Sequence, residues 1–313
     1  MESATPAEAV RAVVADLYPD AEIGAPRPLT GGASRSTWQC TVGDDEIVVQ
    51  RQTPDADRDM TIEASTLAAA ASVPAPPLIA HVVGDDGVSN LVTRYVPGET
   101  IARRILRDDR YATARERLVD QLGRAAARTH RIDPAAIPGL QRSDALSTTQ
   151  AMLDELGEPH PTFEMALCWL RDHRPPDRPI TVVHGDLRLG NVIVDDQGLA
   201  AVIDWEIAHL GNPVSDLGWL CAPAWRFGSP LPAAGVGTRE ALLAAYADEA
   251  GVEVPLDELR WWEVAASLRW GVICMHQADR HRSGAVRSHE LAAIGRRTCE
   301  TEHDLFLALD GRW

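Results

Sequence analysis

His184-Gly185-Asp186-Leu187-Arg188-Leu189-Gly190-Asn191, followed by Ile203-Asp204-Trp205-Glu206, is the stretch on which the reading of this chain turns. Residues 181–183 form a short apolar run, so His184 to Asp186 fall in the loop at the end of a strand. Residues 192–194 and 201–203 flank the turn Asp195-Asp196-Gln197-Gly198 and read as a hairpin. A tight hairpin brings its ends together, so Asn191 and Asp204 are expected to face one point. Asp and Asn are common turn residues, but three oxygen-bearing side chains at these spacings ask for a chemical reason.

One carboxylate to accept a hydroxyl proton, with an amide and a second carboxylate to hold Mg²⁺, is the oxygen set of phosphoryl transfer. Asp186 is then the expected base, and Asn191 and Asp204 the metal ligands. No Gly-x-Ser-x-Gly or His-Glu-x-x-His occurs, which argues against a hydrolase.

The composition is consistent with a folded enzyme. Its 313 residues, 45% hydrophobic and 24% charged, suffice for one large core or two modest ones. The five scattered cysteines include no Cys-x-x-Cys, which speaks for a reducing cytoplasm rather than a disulfide framework or a cysteine zinc site. No long apolar run is present and residues 1–3 show no basic-then-apolar start, so neither a membrane span nor a signal peptide is expected. A net charge of −16 argues against a nucleic-acid partner. All 30 basic residues are arginine. A phosphate loop ending in Gly-Lys-Ser/Thr is therefore impossible, and any phosphate clamp must use guanidinium.

Periodicity predicts an amphipathic helix over 6–18, strands over 37–42 and 47–51, and a helix over 59–71 that ends before Pro74. Short strands over 81–83 and 91–95 flank Gly84-Asp85-Asp86-Gly87, and Pro97-Gly98 then punctuates the chain. Helices are expected over 115–130, 163–171, 238–249, 261–276 and 290–307. Strands early and helices late predict an α+β protein of two lobes. Residues 1–96 would form a small β-rich nucleotide-binding lobe, and 97–313 a larger helical catalytic and acceptor-binding lobe.

With these motifs in place, the chain resembles the aminoglycoside phosphotransferase-type enzymes, a branch of the protein-kinase-like fold, from Leu29 to about Leu309. The resemblance implies ATP and Mg²⁺ as cofactors and a small-molecule hydroxyl as acceptor. It implies that Asp186 is the catalytic base and that Asn191 and Asp204 bind Mg²⁺. Arg188 falls where protein kinases carry a lysine on the transferring phosphate. Leu29 to Thr37 lies where the nucleotide loop belongs. There Gly31 and Gly32 would let backbone N–H groups approach phosphates and Ser34 would add a hydroxyl. Arg51 is the expected substitute for the family's strand lysine, with Glu63 as its ion-pair partner. Gln50, on the other face of that strand, is the competing alignment. Residues 91–98 resemble the hinge, so backbone groups of Arg94 and Val96 would bond the adenine. Asp216 matches a position that braces the catalytic loop, and Glu206 is either near the metal or a surface partner. Trp261, Trp262 and Trp270 are read as core.

The acceptor is the open part. Six arginines (269, 280, 282, 287, 296 and 297) against Asp279 and Glu290 favour an anionic acceptor over a polycationic drug. Arg188 to Asn191, Asp204 to Gly211 and Arg269 to Val272 resemble a subgroup of kinase-like domains associated with acyl-CoA dehydrogenases, which implies a hydroxyacyl-CoA. An antibiotic O-phosphotransferase and a catalytically inactive nucleotide-binding pseudokinase module are the alternatives. Oligomeric state and the choice between ATP and GTP are not legible.

Overall fold

The computed structural model describes residues 5–29, 35–53 and 60–312. It has two lobes, and the expected α+β class is borne out. The smaller lobe opens with α1 (Pro6–Leu17). Its N-terminus is closed by a capping box, in which the Thr5 hydroxyl accepts from the Glu8 N–H and the Glu8 carboxylate accepts from the Thr5 N–H. β1 (Arg27–Pro28), β2 (Arg35–Val42) and β3 (Asp45–Gln52) follow. Then come α2 (Thr61–Ala69), β4 (Leu78–Val83) and β5 (Ser89–Arg94). The strands form one antiparallel sheet in the order β1-β2-β3-β5-β4.

The alternation of side chains along β3 positions the site. Ile47 and Val49 turn towards α1, where Val10, Val13, Val14, Cys40 and Val92 complete a small core. Val48 and Gln50 turn the other way, into the cleft between the lobes.

At the lobe junction Gly98 has φ 153°, and a Cβ there would lie 2.5 Å from the Ile193 Cγ2 and 2.8 Å from the Val194 carbonyl oxygen. Only glycine admits that approach. Glu99 and Val194 then exchange two backbone hydrogen bonds, at 2.9 and 3.0 Å.

The larger lobe contains α3 (Ala102–Arg107), α4 (Ala112–His130), α5 (Ala145–Leu156) and α6 (Pro161–Asp172). The short strands β6 (Thr181–Val183), β7 (Val192–Val194), β8 (Leu199–Val202) and β9 (His209–Gly211) come next. They pair as β6 with β9 and as the hairpin β7–β8. The chain ends in α7 (Val214–Cys221), α8 (Arg239–Ala250), α9 (Leu256–Arg282), α10 (His289–Gly295) and α11 (Thr298–Leu309). Leu118 and Leu122 of α4, Leu217 and Leu220 of α7 and Leu268 and Val272 of α9 are fully buried in one large core. Each such side chain contributes about 1.5–3 kcal/mol. The single helix expected over 290–307 is two helices: α10 ends at Gly295, whose carbonyl accepts from the Thr298 hydroxyl at 2.8 Å. Among the described residues no helix is long and apolar enough to cross a membrane.

Candidate active site

β6 ends at Val183, and the loop that follows is held from every side. Gly185 has φ 81°, and a Cβ on it would meet the Ile207 carbonyl oxygen at 2.7 Å. Asp216, near the start of α7, accepts the His184 N–H at 2.7 Å and the Gly185 N–H at 2.8 Å. His130 of α4 donates to the same carboxylate at 3.1 Å. Burial alone would raise the Asp216 carboxyl, but the His130 hydrogen bond and the donors of the loop more than offset it and hold its pKa at about 2. Arg269 of α9 closes the loop from the opposite side, donating to the Gly185 carbonyl at 3.0 Å while its guanidinium lies 4.6 Å over the Trp219 ring.

His184 ties this loop to the hairpin. Its Nδ1 accepts from the Asp186 N–H at 3.2 Å, so its Nε2 donates to the Ile203 carbonyl at 3.0 Å. Complete burial lowers its pKa and keeps the ring neutral, the one tautomer that serves both bonds.

The Asp186 carboxylate is aimed by three side chains. Trp219 Nε1 donates to Oδ1 at 2.6 Å. Asn191 Nδ2 donates to Oδ2 at 2.6 Å and to the Asp186 carbonyl at 3.0 Å. Arg188 Nε reaches both oxygens, at 3.0 and 3.1 Å, while its guanidinium stacks 4.7 Å from the Trp225 ring. The terminal nitrogens of Arg188 make no hydrogen bond among the described residues.

Asn191 spends its amide nitrogen on Asp186, and its Oδ1 accepts nothing among the described residues. Asp204 lies across the hairpin, in the left-handed region at φ 68° and ψ 57°. Its carboxylate likewise accepts no hydrogen bond there. Burial first, and the neighbouring Glu206 next, push its pKa up to about 6. A half-buried carboxylate without donors, beside an amide oxygen without donors, is a hard-oxygen set that fits a divalent cation.

Both groups line a cleft of about 820 Å³ between the lobes. Leu29, Val48, Leu67 and Ile193 supply apolar walls, and Arg94, Tyr95 and Val96 form its edge at the lobe junction. The Arg94 and Tyr95 N–H groups are taken by the Pro77 and Glu46 carbonyls, while the Val96 N–H has no partner among the described residues. Gly31, Gly32 and Ser34 lie outside the described residues.

The structure departs from the sequence reading at Arg51. Strand alternation puts Arg51 on the α1 side of the sheet, where it donates to Asn90 at 3.0 Å and pairs with Asp86. Gln50 occupies the cleft face instead. Glu63 does not pair with Arg51: among the described residues it pairs with Arg35 of β2, whose Nη1 lies 3.0 Å from both carboxylate oxygens. Arg35 Nη2 also reaches Glu206 at 2.5 Å. Sequence reasoning gave Arg35 no role, although it sits inside the quoted glycine stretch. It also missed Trp219, whose spacing of three from Asp216 places both on one helix face. The six late arginines do not form one patch. Arg269 is committed to the catalytic loop, Arg282 pairs with Glu158 and Asp279, and Arg297 pairs with Glu300. Arg280 lines the cleft.

Several known proteins share this architecture. The chain is 26% identical over 216 residues to acyl-CoA dehydrogenase family member 11 of Gallus gallus, covering 62% of this chain and 27% of that protein. It spans no more than about a quarter of the length of the acyl-CoA dehydrogenase relatives it matches. The GDP complex of aminoglycoside 2'-phosphotransferase-IIIa superposes with a TM-score of 0.71 at 14% identity, covering 96% of this chain and 99% of that one. A macrolide 2'-phosphotransferase from Brachybacterium faecium superposes at 0.67 with 19% identity, covering 91% and 96%. At these identities the superpositions speak for the fold. The family model described as phosphotransferase enzyme family matches residues 26–262, three quarters of the sequence, including the loop after β6, the β7–β8 hairpin and α7, so the chain belongs to the phosphotransferase enzyme family.

Proposed function

We propose that this phosphotransferase moves the γ-phosphoryl group of ATP to a hydroxyl of a small anionic metabolite, with a hydroxyacyl-CoA as the acceptor class. One observation carries the phosphotransfer reading. Asp186 is aimed by Trp219, Arg188 and Asn191, while the Asn191 Oδ1 and the Asp204 carboxylate stand near it, on the cleft wall, without donors among the described residues.

In this mechanism Asp186 orients the acceptor hydroxyl and takes its proton as the oxygen attacks the γ-phosphorus in line and the bond from that phosphorus to the departing ADP oxygen breaks. Trp219 and Asn191 fix the carboxylate so that one oxygen geometry is presented. Arg188 keeps its terminal nitrogens for the oxygens of the transferring group. Mg²⁺, held by Asn191 and Asp204, would offset phosphate charge. The Val96 N–H and the Arg94 carbonyl are suited to the adenine edge at the lobe junction.

The acyl-CoA part rests on the named relatives and on Arg280, Arg287 and Arg296, which make no ion pair among the described residues. An aminoglycoside acceptor is the second reading, favoured by the net charge of −16 and by the commitment of Arg269 to the protein itself. A mass-spectrometric screen separates them. Phosphorylation of hydroxyacyl-CoAs and not of aminoglycosides supports the first, and the reverse sinks it. An Asp186→Ala variant that stays folded should lose transfer by about 10²- to 10⁴-fold; near-normal turnover would refute the assignment of the base.

A further inference from the structure

The cleft holds a concentration of acid that its expected cation does not serve. Glu63, Asp204 and Glu206 all line it, close to Asn191. A nucleoside triphosphate brought there adds more negative charge. In kinase-type sites a lysine on the third strand, held by a glutamate of the following helix, answers that charge. Here that position is Gln50, which is neutral, and Arg51 points away to Asp86 and Asn90.

β2 supplies a cation by another route. Thr37 faces Gln50 across the β2–β3 ladder, and Arg35 lies two residues further along β2, on the same cleft face. The Arg35 guanidinium reaches over its neighbour strand to within 3.4 Å of the Gln50 Oε1. It therefore fills the space a long cationic side chain from position 50 would occupy. Its Nη1 is held by Glu63 of α2 at 3.0 Å and its Nη2 by Glu206 at 2.5 Å. Its side chain is only 10% exposed. Burial works against the charge, and the two carboxylates more than offset it, so the group stays a guanidinium.

We infer that Arg35 is the nucleotide-phosphate cation of this lysine-free site: the role has moved from the third strand to the second, with Glu63 as its anchor. The inference rests on the phosphotransfer reading above. It gives Arg35 a task beyond joining the lobes, because a planar guanidinium held at one nitrogen by Glu63 still has N–H groups to offer phosphate oxygens. Arg94 and Arg280, the other arginines on the described cleft wall, are placed elsewhere. Arg94 pairs with Asp45 at 2.8 Å at the lobe junction, and Arg280 donates to Gln277 on α9. A phosphate arriving at Arg35 would compete with Glu206 for Nη2, while Glu63 keeps its hold on Nη1.

Titration calorimetry with Mg·ATP and with adenosine tests this on the full chain. Arg35→Gln should weaken Mg·ATP binding by roughly 10- to 100-fold, the scale of one or two charge-assisted hydrogen bonds, and leave adenosine binding unchanged. Moving the charge back, in the double variant Arg35→Gln with Gln50→Arg, should recover most of the lost affinity. Unchanged Mg·ATP affinity in a folded Arg35→Gln variant would overturn the inference. So would a parallel loss of adenosine binding that the second substitution does not restore, since that marks a purely structural contact. A wild-type chain that binds neither ATP nor GTP would overturn the phosphotransfer reading itself. Wild-type binding with no effect at Arg35 would overturn only this step.

Discussion

The indole N–H of Trp219 donates to Oδ1 of Asp186 at 2.6 Å, so α7 reaches the carboxylate proposed as the base directly and also braces its loop through Asp216. Trp219→Phe keeps a ring under Arg269 and removes one donor. A hydrogen bond to a charged group is worth about 1.5–3 kcal/mol, so the maximal rate should fall about tenfold or more. The Michaelis constant for ATP should hardly move, because Trp219 does not line the nucleotide cleft. Steady-state kinetics on a confirmed acceptor decide it; a change confined to that constant would contradict the placement.

Asp204 is a largely buried carboxylate that no hydrogen-bond donor answers among the described residues. Asp204→Asn should therefore raise the melting temperature of the cation-free protein by roughly 2 °C or more. The same variant should lose the Mg²⁺ dependence of nucleotide binding, whereas wild-type binding should weaken once a chelator removes Mg²⁺. Scanning calorimetry and nucleotide titration with and without Mg²⁺ give both readouts. A destabilised cation-free variant would show that Asp204 has a structural partner instead.

Asp216 makes the opposite trade. Its folded pKa of about 2 lies below its ordinary 3.8, so the charged form is favoured by folding. The stabilisation is fully present above about pH 4 and is lost as pH falls from 3.8 towards 2. Asp216→Ala strands two buried N–H groups and should cost roughly 3–5 kcal/mol at neutral pH. In urea melts the gap between variant and wild type should narrow between pH 4 and pH 2. A gap independent of pH over that range would remove the charge argument.

Arg51 supports the small lobe and does not touch the cleft. Arg51→Met should lower stability by about 1–3 kcal/mol, a figure reduced because its partner Asp86 is nearly half exposed. Affinity for Mg·ATP should stay within about twofold once folding is allowed for, a difference under about 0.5 kcal/mol. Loss of nucleotide affinity with unchanged melting would restore Arg51 to the site.

The two-lobe architecture was legible because its signals are local: hydrophobic periodicity, the Pro97-Gly98 break and the turns between short strands. The neighbourhood of Asp186, Asn191 and Asp204 was legible for the same reason, since one hairpin of a dozen residues defines it. Arg35 and Trp219 were not. Arg35 acts across a strand pair, so its partners Glu63 and Glu206 lie 28 and 171 residues away in sequence. At positions 50 and 51 two adjacent polar residues offered no apolar alternation, and only the packing of Ile47 and Val49 on α1 shows which of them faces the cleft. The arginines of α9 to α11 read as a cluster because sequence shows their number but not the carboxylates of α5–α6 and α11 that engage two of them.

The pair of backbone bonds between Glu99 and Val194 makes the junction of the lobes a crease rather than a tether. Val194 ends the strand that Asn191 introduces, and Glu99 follows directly on the segment suited to the nucleotide base. The backbone just after the lobe junction is therefore bonded directly to the hairpin that presents Asn191 and Asp204. On the proposed reading, seating a base at the junction and setting Asn191 and Asp204 for a cation would be coupled through these two bonds.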